Sequence, residues 1–369
     1  MRIAAVRAIP VDIPYHKPFV IAGGPSTVAT HVIVKITSDD GTVGIGEAAP
    51  MTSYSEETQA DIIHAVERFL GPAVVGRDPL DLELIHELME RHLPGHHFAK
   101  AAVDLACYDL AGKTLGVPVY KLLGGLYRTK IPLAWAVGMD GIDAMVAEAV
   151  EFAGRGFETI KVKIGNDPRK DLEVVAAIRD AIGPKVGLRV DANQGYTPTV
   201  AIQVLRRMEK YDLQLIEQPV PRWDLDGMAR VAAALDTPIM ADESMFGPND
   251  AINLIRFHAC DIINIKIMKP GGLYNSKKVA AIAEAADIPC LVGSMIETGV
   301  GTAAGVHFAA STRNIAYPCE LIGPMMLKDD VIKEDIYSAN YVRGYLEAPG
   351  GPGLGVRLVE NLEGMAAHV

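Results

Sequence analysis

A chain of 369 residues, 49% apolar and 22% charged, has the composition of a globular protein and more length than one single-core domain needs. Its formal charge of -11, from 35 basic and 46 acidic residues, argues against nucleic acid or an anionic membrane as the main partner. Anionic small molecules stay open, because a metal or local lysines reverse the field inside a pocket.

The N-terminal MRIAAVRAIPVDIPY is interrupted by Pro10 and Asp12, so it does not read as a signal peptide. No run approaches the roughly 20 apolar residues that span a bilayer. Cys107, Cys260, Cys290 and Cys319 form no C-x-x-C pair and read as reduced core residues, so a cytoplasmic location is expected.

Residues 3–12 and 31–37 (HVIVKIT) are β-branched and apolar, and Asp39-Asp40-Gly41 supplies a turn before TVGIGEA. Helical spacing follows over 55–70, 80–92 and 97–114. Strands followed by helices, without alternation, predict a separate α+β module over 1–125. After Gly124-Gly125 short apolar runs alternate with helical stretches: LAWAVG, TIKVKIG, VGLRVDAN, LQLIEQP, PIMADES, DIINIKI, PCLVGSM and a last one near AYPCEL. Eight strands with helices between them predict a parallel barrel over 126–324. The Pro- and Gly-rich segment 325–369 shows no further strand-helix unit and is expected to return to the first module.

Five consecutive apolar strands end in charge: Lys161 and Lys163, then Asp191, Glu217, Asp242 and Lys266. The steps are 191−163 = 28, 217−191 = 26, 242−217 = 25 and 266−242 = 24. One β/α unit per step sets these groups at one height, on the C-terminal rim where barrel enzymes carry their sites. Three neighbouring carboxylates repel one another unless a cation sits between them, and an oxygen-only set suits Mg²⁺. Such a metal binds a substrate carboxylate and stabilises the enediolate left by an α-proton. Either lysine, with its pKa lowered, makes a usable base, and the protonated partner an acid.

The Lys-x-Lys of TIKVK, the DAN, EQP and ADES segments, the lysine of NIKIMKPGG and the string GSMIETGVGTAAGVH together resemble the enolase superfamily in its muconate lactonizing subgroup. The likeness runs over nearly the whole chain. It implies an α/β fold, a modified TIM barrel (β/α)7β with an N-terminal α+β capping domain. It also implies Mg²⁺, with Mn²⁺ as a workable substitute, at Asp191, Glu217 and Asp242. Lys163 and Lys266 are then the acid/base groups on opposite faces of a small carboxylate substrate, with Lys161 and Asn193 in support. A homo-oligomer is expected from the same resemblance.

Within that family, Gly293 and Ser294 on the seventh strand disfavour the histidine base of mandelate racemase. Cys319-Glu320-Leu321 replaces the Asp-x-Asp in which dipeptide epimerases resemble one another. CELIGPMML is similar to muconate cycloisomerases and N-succinylamino acid racemases, which makes Glu320 a candidate pocket residue; Glu297, just past the seventh strand, is another. The leading expectation is a muconate cycloisomerase-like isomerase. An N-succinylamino acid racemase is the alternative, and a dipeptide epimerase or o-succinylbenzoate synthase stands behind both. Two opposed lysines permit cycloisomerisation and racemisation alike. Loops at 16–26 and 50–55 are expected to close over the site and set specificity.

Other features carry a plainer reading. His92, His96 and His97 lie in a Pro-Gly turn, His307 in a helical run, and GIGEA is a strand-turn element rather than a dinucleotide site. Gly271-Gly272 fits a tight strand-to-helix turn. A Schiff-base lysine enzyme has no use for three carboxylates, and a non-catalytic binding protein has no use for the complete acid/base set.

Overall fold

The structure is a computed structural model that describes residues 1–51, 54–334 and 341–365. Thr52 and Ser53 of the expected 50–55 loop, and 335–340 and 366–369 of the C-terminal segment, lie outside the described residues.

The N-terminal strands β1 (Ile3–Ile21), β2 (Gly24–Ser38) and β3 (Val43–Ala48) form one antiparallel sheet. Ile9 faces Ile33 across β1 and β2, and Val32, Ile33, Val34 and Ile36 are fully buried, as β-branched residues on a covered sheet should be. The covering element is the helix His97–Leu115, buried from Phe98 to Gly112. It lies so close to β3 that a Cβ at Gly44 would fall 2.2 Å from the Ala106 carbonyl oxygen, and one at Gly46 2.0 Å from that of Ala102. The two glycines of GIGEA are there for this contact.

The segment 16–26, expected as a loop, is mostly strand. After a register shift between Pro14 and Phe19 the pairing resumes at Phe19 with Ser26 and ends at Ile21 with Gly24. The result is a two-stranded flap in which only Ala22 and Gly23 form the turn. Gly23 and Gly24 sit at or beside the turn, and the backbone pairing makes the rest of the segment strand.

The short strand β4 (Lys130–Pro132) pairs with β12 (Tyr345–Glu347). Between them runs a parallel sheet in chain order: β5 (Ala134–Val137), β6 (Thr159–Lys163), β7 (Gly187–Asp191), β8 (Leu213–Glu217), β9 (Ile239–Ala241), β10 (Ile262–Ile265) and β11 (Cys290–Val292). The eighth run, AYPCEL, closes the ring through single bridges. Ile315 pairs with Cys290 of β11 and Cys319 with Leu133 beside β5. The Ala134 amide donates to the Cys319 carbonyl at 2.8 Å, and the Glu320 amide to that of Val292 at 2.8 Å. A modified TIM barrel with an antiparallel sheet ahead of it is therefore the fold.

The helices between the strands carry their own start signals. Asp167, Thr197, Asp224 and Thr298 each accept a backbone N–H from the first turn. The helix Pro168–Ile182 buries Asp171, Val174, Val175 and Ile178, the stripe that faces a sheet. The C-terminal segment touches the first sheet: Leu327 bridges Tyr15, and Arg7 pairs with Glu363 at 2.8 Å. All four cysteines are buried. His307 is a packed core residue, with Nδ1 accepting the Tyr120 amide at 3.3 Å and Nε2 against the Leu354 carbonyl at 3.1 Å. Among the described residues no helix is long and apolar enough to cross a membrane.

Candidate active site

Side chains alternate along a strand, so every second residue of a barrel strand points inward. Ile160 and Val162 of β6, Val190 of β7 and Ile216 of β8 belong to the large apolar core. Leu215, Met240, Ile262 and Leu291 form a separate buried cluster inside the ring. Two residues further along the same inward columns stand Glu217, Asp242, Asn264 and Gly293. Lys161 and Lys163, and Arg189 and Asp191, complete the set from β6 and β7. The carboxylates lie at the strand ends above the apolar cluster, while Arg189, level with Leu215, and Lys161 beside it bring buried cations into the layer below.

Register fixes the carboxylates side by side. Lys163 pairs with Asp191 across β6 and β7, and Asp191 with Glu217 across β7 and β8. Asp191, Glu217 and Asp242 have no solvent exposure. Each is held by ammonium groups. Lys163 Nζ donates to Asp191 Oδ2 at 2.5 Å and to Asn193 Oδ1 at 3.0 Å. Lys161 Nζ donates to Glu217 Oε2 at 3.0 Å and to Glu320, and lies 3.4 Å from Asp191 Oδ2. Lys266 Nζ donates to Asp242 Oδ2 at 2.8 Å, and Lys269 Nζ to Asp242 Oδ1 at 2.7 Å. Strands β7, β8 and β9 separate β6 from β10, so Lys163 and Lys266 stand at the two flanks of the carboxylate row.

Burial raises the cost of charge here, and the neighbours decide where it settles. Burial and the adjoining Asp191 push the Glu217 carboxyl well above its usual range. Burial works against Asp242 too, but Lys266 and Lys269 outweigh it and hold that carboxyl well below the ordinary value. Asp191 is lowered by Lys163 and Lys161 against the same penalty. Burial disfavours the Lys266 ammonium, yet Asp242 and Glu217 leave its pKa raised. Lys269, crowded by burial and by Lys266, is lowered.

Aromatic rings from the N-terminal sheet and the segment after it cover both outer lysines. Lys163 Nζ lies 5.9 Å from the ring centroid of Phe19 in the flap, and Lys266 Nζ 4.3 Å from that of Tyr54. Tyr54 also donates its hydroxyl to Asp242 Oδ1 at 2.6 Å. Beside them lies a cavity of about 280 Å³ lined by Ile21, Ala22, Gly23, Tyr54, Asn193 and Glu243, among others.

Eight of the nine residues singled out by sequence converge on this cluster. Glu320 meets Lys161, and Asn193 ties Lys163 to Glu243, whose carboxyl burial and Asp242 push up to about 7. Glu297 does not join: it accepts the Ser294 hydroxyl at 2.5 Å, and among the described residues no hydrogen bond or ion pair links it to the carboxylate row. Four participants escaped the sequence reading. Asn264 lies two residues before Lys266, and the same alternation could have found it. Glu243 is the neighbour of Asp242. Lys269 and Tyr54 reach Asp242 only through the folded chain.

Among the described residues no three His, Cys, Asp or Glu side chains converge at ligand distance from a common point. The row still fits a cation in its chemistry: three fully buried carboxylates supply only oxygen, and burial together with Asp191 pushes the Glu217 carboxyl up.

Residues 3–124 match the mandelate racemase / muconate lactonizing enzyme N-terminal domain, and residues 144–362 the enolase C-terminal domain-like family. The L-Ala-D/L-Glu epimerase of Bacillus subtilis is 40% identical over 96% of this chain and 97% of that protein. A chloromuconate cycloisomerase of Pseudomonas sp. is 35% identical over 97% of both. The crystal structure of the N-succinyl Arg/Lys racemase from Bacillus cereus superposes with a TM-score of 0.96, at 33% identity, over 100% of this chain and 98% of that one. A dipeptide epimerase from Enterococcus faecalis, complexed with Mg and the dipeptide L-Leu-L-Tyr, superposes with a TM-score of 0.93, at 37% identity, over 96% and 99%. With both halves of the chain matched, the protein belongs to the mandelate racemase and muconate lactonizing enzyme family and is an isomerase of the enolase superfamily.

Proposed function

We propose that this isomerase racemises or epimerises the carbon next to a substrate carboxylate, with Lys163 and Lys266 as its acid/base pair. The observation that carries this reading is their placement at opposite flanks of one carboxylate row. A neutral lysine on one flank takes the α-proton, the C–H electron pair passes into an enediolate, and the ammonium on the other flank returns a proton to the opposite face. The two lysines end with their protonation states exchanged, and proton exchange with solvent, or turnover of the opposite enantiomer, resets them. Asp191, Glu217 and Asp242 are the residues that would hold Mg²⁺, or Mn²⁺ in its stead. That ion would take over the charge balance now supplied by lysines and lend charge to the enediolate as it forms. Lys161 neutralises Glu217 and Glu320, and Phe19 and Tyr54 keep water from the lysines.

Muconate and N-succinylamino acids each carry a second carboxylate. No lysine or arginine is among the described residues that line the cavity at Glu243, or a second cavity under the flap between Phe19, Met51 and Met295. A substrate whose remote end bears no negative charge suits these walls better. Cycloisomerisation stays as a second reading because the segment CELIGPMML resembles that of muconate cycloisomerases. The working division is a cap over 1–125, a barrel over 126–324 and a returning segment over 325–369.

Proton NMR in D₂O with Mg²⁺ tests the reading on N-acetylamino acids, N-succinylamino acids and cis,cis-muconate. Loss of α-proton signals, abolished by a chelator, is the expected result. Conversion of muconate vinyl signals to a lactone, with no α-exchange elsewhere, would replace the racemase reading by the cycloisomerase one.

A further inference from the structure

Under the flap lies a second cavity, of about 310 Å³, which shares Ile21 and Gly23 with the cavity beside Glu243. Phe19, Pro25, Met51 and Met295 give it apolar walls, and Tyr15, Ser26 and Thr30 bring hydroxyl-bearing side chains. His31 of β2 also lines it and is only 1% exposed.

The imidazole is held from behind. Its Nδ1 lies 3.0 Å from Glu47 Oε1. Glu47, the acid of GIGEA, is fully buried and accepts three further hydrogen bonds. The Thr298 amide donates at 2.8 Å, the Thr298 hydroxyl at 2.6 Å and the Gly301 amide at 2.7 Å. Such a carboxylate is an acceptor only, and a bare nitrogen 3.0 Å from it would be repelled, so the contact favours a hydrogen on Nδ1. Thr298 and Gly301 begin the helix Gly299–Ser311, so the same clamp fastens the N-terminal sheet to the barrel. Neither ring nitrogen of His31 has an aligned hydrogen-bond partner among the described residues; Nδ1 has the close Glu47 carboxylate, and Nε2 has no such contact. A buried polar atom without a partner, in the wall of a cavity, marks the place of a missing one.

We propose that His31 is a specificity residue, whose Nε2 accepts a hydrogen bond from an N–H or O–H on the part of the substrate remote from the reacting carboxylate. This rests on the proton-transfer reading above and narrows its substrate class to molecules with a neutral donor at that end. Glu47 is the positioning residue that fixes the tautomer.

The test compares α-proton exchange of N-acetyl-L-glutamine, N-acetyl-L-methionine and N-acetyl-L-glutamate, which are close in length and differ in the distal group. Wild-type kcat/KM should favour glutamine over both others by about tenfold, the worth of one neutral hydrogen bond. In His31→Leu the ratio of the glutamine to the methionine kcat/KM should fall to about one, whatever the change in overall rate. Preference for glutamate, or a glutamine preference that survives His31→Leu, would overturn the proposal.

Nitrogen NMR of histidine-labelled enzyme gives a readout independent of turnover, with His31→Asn assigning the signal if the leucine variant fails to fold. His31 should show a protonated Nδ1 and a bare Nε2 that shifts with N-acetyl-L-glutamine and not with the methionine compound. A protonated Nε2, or no shift with either, means a water-filled cavity only and overturns the proposal. Exchange of none of the three compounds would count against the proton-transfer reading instead, and the NMR signal would then decide the role of His31 alone.

Discussion

Asn264 reaches the Glu217 carboxylate because Gly293, on the neighbouring strand, has no side chain. The Asn264 amide donates to Glu217 Oε1 at 2.9 Å, and a Cβ on Gly293 would lie 2.2 Å from Asn264 Oδ1. Gly293→Ala should displace that amide. Activity should fall by about 100-fold, as misplacement near a reacting centre does, and overpacking should cost about 1–3 kcal/mol of stability. Kinetics and denaturant unfolding check both, and a wild-type rate with unchanged stability would contradict the assignment.

Asp242 accepts from Tyr54, Lys266 and Lys269 at once. Asp242→Asn removes the charge and leaves two buried ammonium groups under-compensated. Stability should fall by about 3–5 kcal/mol, the usual result of removing one partner from a buried pair. Calorimetry should show Mg²⁺ binding lost or strongly weakened. Full activity in this variant would sink the metal assignment.

Lys161 touches Asp191, Glu217 and Glu320 and neither flank of the row. Lys161→Met should lower kcat by about 10²–10³, the scale of one lost electrostatic contact. Both enantiomers of a substrate should suffer alike. A loss confined to one enantiomer would make Lys161 a base rather than a support.

Asp330 caps the start of the helix Gly299–Ser311, accepting the Gly299 amide at 2.9 Å, and burial pushes its carboxyl up to about 6. The folded state therefore binds this proton more tightly than the unfolded chain does. The stabilisation is complete below pH 3.8 and is lost as pH rises toward about 6. Unfolding free energies at pH 4 and pH 7 should fall less in Asp330→Asn than in the wild type. Equal slopes would contradict the shift.

The strand-end spacing made the site legible, since period-2 alternation and one β/α unit per step determine height and direction together. Distance along the chain hid the rest. Tyr54 meets Asp242 across 188 residues, and Glu47 meets Thr298 across 251. Nothing local in TVGIGEA announces a partner on a barrel helix. Lys269 was hidden for another reason: the chain turns back after β10, with the Lys269 amide on the Lys266 carbonyl at 2.9 Å, and so returns a second ammonium to Asp242. The family resemblance and Gly23-Gly24 point to a loop over 16–26, whereas ladder hydrogen bonds from Phe19 with Ser26 to Ile21 with Gly24 make it a strand pair.

The most direct test of two opposed lysines uses enantiomerically pure substrate in D₂O with Lys163→Ala and Lys266→Ala. With a substrate that the wild type racemises, neither variant should racemise. One variant should exchange the α-proton of the L-enantiomer alone, and the other that of the D-enantiomer alone. Exchange of the same enantiomer by both variants, or of both enantiomers by either, would place the bases elsewhere.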